Sequence, residues 1–298
     1  PGARRRRLVR RIPMTPKEAA VPVPSYHDFV ADQRTAGPPL VDVSREGSRA
    51  TVRMDDPGHL NALSAPLTLQ VLDALTDLDR DPEIRTVILT GTDPAFSAGG
   101  DLRLMEGYAH PMTDDGAQGS TAVWRWIRRQ FGGVARLIAS TDMAVVAAVN
   151  GAAAAVALAW ALTCDVIVVS ERARLVPAFG RIGLVPEVGS SWALTRRLGY
   201  QGAFALFTAG RELDGQAMFD AGLATEIVPH AELLPAAQAW GERVDALPEH
   251  LVPMMKPLLR GAADQTWDQA IATEEFAEPL CFTTAAHRGA VRGLLGRA

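Results

Sequence analysis

Apolar positions along this chain switch repeatedly between a period of two and a period of three to four. Residues 50–54 (ATVRM) alternate as a half-buried strand does, and residues 65–78 place apolar side chains at helical spacing. Residues 86–90 (TVILT) form a short β-branched run that the breaker Gly91-Thr92-Asp93-Pro94 ends. After residues 101–105 a polar stretch reaching Gly119 reads as a loop, and an amphipathic helix follows over residues 122–138. Residues 144–149 and 165–169 are two more apolar strands. Further on, the spacing predicts a helix over residues 190–198 capped at Gly189 or Ser190, and another beginning at residues 202–207. Helices over residues 232–247 and 264–280 carry Trp240 and Trp267 on their apolar faces, so the last 60 or so residues read as a helical appendage. Strands alternating with helices imply parallel crossovers and an α/β fold.

One segment changes the picture. Residues 143–164 carry no charge over 22 positions, long enough to raise a membrane span. The β-branched residues 143–149, the turn Asn150-Gly151 and the Ala/Leu-rich residues 152–163 instead read as strand, turn and buried helix. Residues 12–39 hold six prolines among mixed polar residues and read as an extended arm. The net charge of −4 includes six arginines within residues 1–11, which leaves −10 on the rest of the chain. An acidic body argues against broad capture of nucleic acid. The basic stretch reads as an extension ahead of Met14, and no secretory pattern is seen in it. Cys164 and Cys281 are too few for a disulfide framework, so a reducing, cytoplasmic setting is expected, with no membrane partner.

Most catalytic signatures are missing: no G-x-G-x-x-G, P-loop, G-x-S-x-G, H-E-x-x-H or C-x-x-C occurs. The six histidines are scattered without ligand spacing, so no metal is expected. What remains are two small-residue turns, each following an apolar strand and opening a helix. They are Ala95-Phe96-Ser97-Ala98-Gly99-Gly100-Asp101-Leu102 and Asn150-Gly151 followed by residues 152–157 (AAAAVA). Small residues let a ligand approach the backbone, and helix N-terminal N–H groups can then point at it. Two such turns facing one carbonyl would form an oxyanion hole. Either alone is also what close packing produces.

Taken in order, these residues resemble the crotonase, or enoyl-CoA hydratase/isomerase, superfamily. The motifs are Asp56-Pro57 with Asn61-Ala62-Leu63; Leu89-Thr90-Gly91 with residues 95–102; Ala148-Val149-Asn150-Gly151 leading to Cys164-Asp165; and Gly210 through Ala217 to Gly222-Leu223. The resemblance runs from about residue 40 to 235, with residues 236–298 as a C-terminal helical part and residues 1–39 as an N-terminal extension. It implies a ClpP/crotonase spiral of ββα units, assembly as trimers or dimers of trimers, and acyl-CoA thioester chemistry with no cofactor beyond the substrate's CoA. By position, the N–H groups of Gly100 and Val156 match the oxyanion donors. Ala62, Ala98, Asp101 and Leu102 match the CoA contacts, and Arg103 and Arg297 are candidate cations for its phosphates. Where relatives carry three glycines this chain has Ala155-Val156-Ala157, so the branched Val156 is expected to narrow the thioester's approach.

The acids depart further from the pattern. The two hydratase glutamates match Ala159 and Phe179, neither of which can transfer a proton. Glu187, in Leu184-Val185-Pro186-Glu187, falls where some isomerases of the family place a proton shuttle. The following helix would lower its pKa and an apolar pocket would raise it; a glutamate at this place can also serve only to complement the helix dipole. His110, Asp114 and Asp115 could bring a proton donor near the substrate but are expected to be solvated loop residues. Trp124 and Trp126, two apart, cannot share a helix face, so one is expected to pack inward. Three functions stay open. They are isomerisation of a 3-enoyl-CoA to the 2-enoyl-CoA by Glu187, other CoA-thioester enolate chemistry including hydration by unrecognised groups, and acyl-CoA binding without turnover.

Overall fold

The computed structural model describes residues 25–111 and 119–296. A hairpin of β1 (Val41–Glu46) and β2 (Arg49–Met54) opens the sheet, with Val43 opposite Val52. Helix α2 (Ala65–Asp79) follows, its first turn closed by the Ser64 hydroxyl, which accepts the Leu67 N–H at 3.3 Å. Three strand pairs come next: β3 (Thr86–Gly91) with β4 (Ala95–Ser97), β5 (Ala144–Val149) with β6 (Ala152–Ala154), and β7 (Val166–Ser170) with β8 (Arg174–Val176). The first strand of each pair joins a six-stranded sheet ordered β1-β2-β3-β5-β7-β10. The second joins a four-stranded sheet ordered β4-β6-β8-β9, where β9 is Leu213–Asp214 and β10 is Glu226–Val228. All pairings are parallel except β1 with β2 and β8 with β9.

A helix follows each pair. After β4 comes α3, made of Gly119–Trp126, a π turn at Ile127–Phe131, and Gly132–Ser140. After β6 comes α4 (Val156–Thr163), and after β8 comes α5 (Ser190–Ala209), broken at Gly199 as the spacing of residues 190–198 and 202–207 requires. The chain therefore advances one strand in each sheet per ββα unit. This is the crotonase-like α/β spiral.

The central strands read as unbroken apolar runs because both their faces are covered. Val87, Leu89, Val145, Ala147, Ile167 and Val169 face the main core, while Ile88, Val146, Ala148 and Val168 face the other way. Helix α7 (Leu233–Asp245), which comes after the short α6 (Gly215–Asp220), covers that second face through Leu233 and Ala237. Residue 235, where the sequence pattern changes, lies within this helix.

Four local expectations change. Residues 152–154 form β6 rather than the start of a helix, and α4 begins at Val156. Leu102–Leu104 runs on into a π turn over Met105–Ala109, so this stretch is helical rather than a loop. Residues 26–35 are not extended: between Pro24 and Pro38, Ser25 caps helix α1 (Tyr26–Thr35), its hydroxyl accepting the Asp28 N–H at 3.2 Å, and Tyr26 and Phe29 join the core. Trp267 opens helix α9 (Trp267–Phe282) and is 76% exposed, so its apolar face is not buried within the chain. Helix α8 (Leu251–Ala262) before it was masked by Pro253 and Pro257, and α10 (Ala285–Leu294) closes the described chain. No described helix is long and apolar enough to cross a membrane.

Candidate active site

Strands β4 and β6 lie side by side, Ala95 opposite Ala152, so the turns that follow them are brought together at one end of the sheet. Gly99 approaches the second turn so closely that a Cβ there would meet the Ala154 carbonyl oxygen at 2.5 Å, and its φ of +83° also favours glycine. Ala155 holds a left-handed φ of 47° with ψ −113°. Val156 then opens α4, and its N–H is one of the first-turn donors that have no acceptor within a helix. Its side chain is fully buried in the main core and does not line the adjoining cavity. The expected narrowing by this branched residue is therefore not found.

Asn61 fixes the first turn from below. It is fully buried, accepts the Asp56 N–H at 2.9 Å and donates to the Thr92 and Ala95 carbonyls at 2.8 and 2.7 Å. The loop it anchors is joined to the glycine turn by Ala98 N–H to Leu60 O at 2.9 Å and Leu63 N–H to Gly99 O at 2.7 Å. Ala62, Ala98, Asp101 and Leu102 are thereby collected on one rim, with Leu60 and Leu102 exposed on it. Asp101 caps the next turn by accepting the Arg103 N–H at 2.9 Å, and the Arg103 guanidinium grips both its carboxylate oxygens at 3.1 Å. Burial works against the charged Asp101, but the Arg103 hydrogen bonds outweigh it and hold the carboxyl below its ordinary value.

Next to this rim is a cavity of about 310 Å³, whose lining includes Gly100, Tyr108, Trp126, Phe131 and Glu187. Of the sequence-derived site residues, Glu187, Gly100 and Asp101 share this cavity; Val156 is not on its wall, and the turn before it packs against Gly99, the neighbour of Gly100. Burial alone pushes the Glu187 carboxyl up to about 7, prevailing over the dipole of α5. The carboxyl has no hydrogen-bond or ion-pair partner among the described residues. Its backbone is fixed instead: the carbonyl accepts both the N–H and the hydroxyl of Ser190, at 3.0 and 2.8 Å. Burial also pushes the Tyr108 phenol up, which keeps it a neutral donor rather than a base. Trp126 packs inward, and Trp124 stays exposed under the Arg128 guanidinium at 5.3 Å. His110 is exposed but lies on a helical turn beside the cavity, not in a loop. Asp114, Asp115 and Arg297 lie outside the described residues.

Backbone strain marks the same region. The non-glycine residues with positive φ among the described residues are Leu60, Asn61, Ala155 and Val188. The first two build the rim, the third precedes Val156 and the fourth follows Glu187. Such conformations cost on the order of 1–3 kcal/mol each and persist where the surroundings enforce them. Ala159 and Phe179, at the two hydratase positions, are each 1% exposed and outside the cavity wall, so no carboxyl enters from there.

A model of the enoyl-CoA hydratase/isomerase family matches residues 44–290. The chain belongs to that family. Among curated relatives, it is 26% identical over 247 residues to 1,2-epoxyphenylacetyl-CoA isomerase of Escherichia coli K12, covering 83% of this chain and 92% of that protein. It is 28% identical over 234 residues to a 4-chlorobenzoyl coenzyme A dehalogenase of an Arthrobacter species, covering 78% and 82%. A crystal structure of an enoyl-CoA hydratase from Polaromonas sp. JS666 superposes with a TM-score of 0.76 at 26% identity, covering 86% of this chain and 97% of that one. Members of the enoyl-CoA hydratase/isomerase family are enzymes acting on CoA thioesters. The activities of these relatives differ, so the residues in this cavity must decide the reaction.

Proposed function

We propose that this family member isomerises a 3-enoyl-CoA to the 2-enoyl-CoA with Glu187 as its single proton shuttle. The observation that carries the reading is an unpartnered carboxyl with a pKa of about 7 in the same apolar cavity as Gly100. A base poised near neutral pH can both take and return a proton. Glu187 removes a proton from C2, and the electron pair moves into the thioester carbonyl as the C3–C4 double bond conjugates with it. The Gly100 and Val156 N–H groups receive the negative oxygen. Glu187 then gives its proton to C4, leaving the double bond between C2 and C3. One carboxyl suffices, whereas hydration needs further groups to place and activate water. The rim of Ala62, Ala98, Asp101 and Leu102 takes the CoA, with Arg103 the cation nearest to it.

The test mixes purified protein with a 3-enoyl-CoA and, separately, with the 2-enoyl-CoA of equal length, following conjugated-thioester absorbance and product mass. Absorbance should rise from the 3-enoyl substrate without mass change, and Glu187→Gln should cut the rate at least a hundredfold while thioester binding persists. Loss of the 2-enoyl signal with gain of water would overturn the reading in favour of a hydratase. Binding without turnover of either would leave an acyl-CoA carrier. We also infer assembly of several copies in the cytoplasm. The apolar Phe276, Phe282 and Leu294 lie exposed on α9 and α10, and the two free cysteines suit a reducing compartment. Sedimentation of the purified chain checks the assembly.

A further inference from the structure

Beyond Glu187 the cavity wall combines aliphatic side chains, among them Leu104, Met105, Val123 and Ile127, with one run of aromatic rings. Tyr108, Trp126 and Phe131 line it, and each is held from behind by another aromatic side chain. Phe29 of α1 stacks on Tyr108 with centroids 3.4 Å apart and planes at 17°, and meets Trp126 edge-on at 5.8 Å. Trp126 meets Phe131 at 5.9 Å and 82°, and Phe131 meets the fully buried Trp160 at 6.4 Å and 70°. The array is pinned at both ends. Trp160 Nε1 donates to the Phe131 carbonyl at 2.9 Å, and Gln130 Nε2 donates to the Tyr26 hydroxyl at 3.0 Å, joining α1 to the π turn of α3.

We propose that this cavity is shaped for an acyl group bearing an aromatic ring, and that Phe29 is the positioning residue that sets its walls. The proposal rests on the thioester reading above and adds the substrate class to it. A cavity of about 150 Å³ is enough for a benzene ring. The volume of about 310 Å³ therefore takes a ring together with the carbons that link it to the thioester. Rings gain edge-to-face contacts with aromatic walls beyond the burial of area, which a straight chain does not make. A ring also enters as one rigid piece, where a chain of equal reach must freeze several rotors. Phe29 touches no substrate in this arrangement. It acts by holding Tyr108 flat and Trp126 edge-on.

The deciding measurement compares 3-phenylpropanoyl-CoA with heptanoyl-CoA, thioesters of similar reach whose ring or chain lies too far from C2 to change its acidity. Dissociation constants are read by calorimetry on full-length Glu187→Gln protein, so the comparison does not depend on turnover. The ring thioester should bind roughly tenfold tighter. In Phe29→Leu combined with Glu187→Gln the ratio should fall to near one. Should that protein not fold, Tyr108→Leu carries the same readout. Equal or tighter binding of heptanoyl-CoA overturns the ring proposal, and an unchanged ratio in both wall variants overturns the role of Phe29. Binding of neither thioester overturns the thioester reading and the ring proposal together. Exchange of the C2 proton with deuterium in wild-type protein tests the role of Glu187 separately, since it can succeed with both thioesters while the ratio fails.

Discussion

Asp165, whose side chain is 22% exposed at the surface, and Glu187, half-buried in the cavity, are acids in opposite surroundings. Asp165 accepts from the Lys256 ammonium at 2.8 Å, from Arg260 at 2.6 Å and from the Val145 N–H at 2.8 Å. Lys256, 6% exposed, also donates to the Met143 carbonyl at 2.8 Å, and Arg260 to that of Thr163 at 2.7 Å. The charges in this knot answer one another, although the buried Arg260 Nε has no acceptor among the described residues, and the result is mechanical: α8 is tied to β5 and to the end of α4. Glu187 has no cation and no donor among the described residues, and burial alone sets its pKa. Asp101 stands between the two, lining the cavity of Glu187 yet clamped by Arg103. An answered charge holds elements together; an unanswered one is left free to exchange protons.

The most damaging way to break the comparison is to unbalance the knot. Asp165→Ala leaves the buried Lys256 ammonium without its counter-charge, and removing one partner of such a pair costs about 3–5 kcal/mol. Urea denaturation should show that loss as a lower midpoint. A loss under about 1 kcal/mol would mean that the knot is decoration and that the contrast with Glu187 carries no lesson.

Glu187→Gln should act in the opposite sense and somewhat less strongly. The folded pKa of about 7 lies above the ordinary value of 4.5, so the fold disfavours the ionised form. Between those values the folded protein holds a proton that the unfolded chain has released. Wild-type stability therefore falls as pH rises from about 4.5 and levels off above about 7. The integrated penalty is about 3 kcal/mol. The glutamine variant escapes it. The two proteins should unfold alike near pH 4, and the variant should be more stable by that amount at pH 8, measured by denaturation across the range. In wild-type protein the C2 exchange rate should climb through the same interval, because the ionised form is the base.

Much of this architecture can be read in the residues. The runs around Val87 and Val145 announce strands buried on two faces, and the motif order places Glu187 beside a helix start. The environment of Glu187 could not be read, because it is assembled by Tyr108, Trp126 and Ile127 from distant segments. Strands β4, β6 and β8 span three residues each, too few to show a period. The π turn over residues 105–109 has no apolar signature and passed for a loop. Asn61 stood in a recognised motif, yet its two carbonyl partners, Thr92 and Ala95, lie on a turn more than thirty residues away. The core thus follows from local pattern, and the site from long-range meetings that local pattern does not encode.

The smallest effect sharpens the contrast from the side of the backbone. No non-glycine residue of the knot has a positive φ, whereas Ala155 and Val188 do, one on each side of the cavity chemistry. If strain is stored where protons move, relieving it should stabilise the protein. Ala155→Gly removes the clash of a Cβ at φ 47°, but glycine also gives the unfolded chain more freedom, so part of the gain is returned. The net stabilisation should be about 1 kcal/mol or less, visible as a small rise in melting temperature. The same change loosens the turn that packs Ala154 and Ala155 against Gly99 and leads into the Val156 N–H. A variant that melts higher and exchanges the C2 proton more slowly would show that the strain holds the second oxyanion donor in place. A variant that melts lower would show instead that the Ala155 methyl is packed well enough to outweigh its conformation.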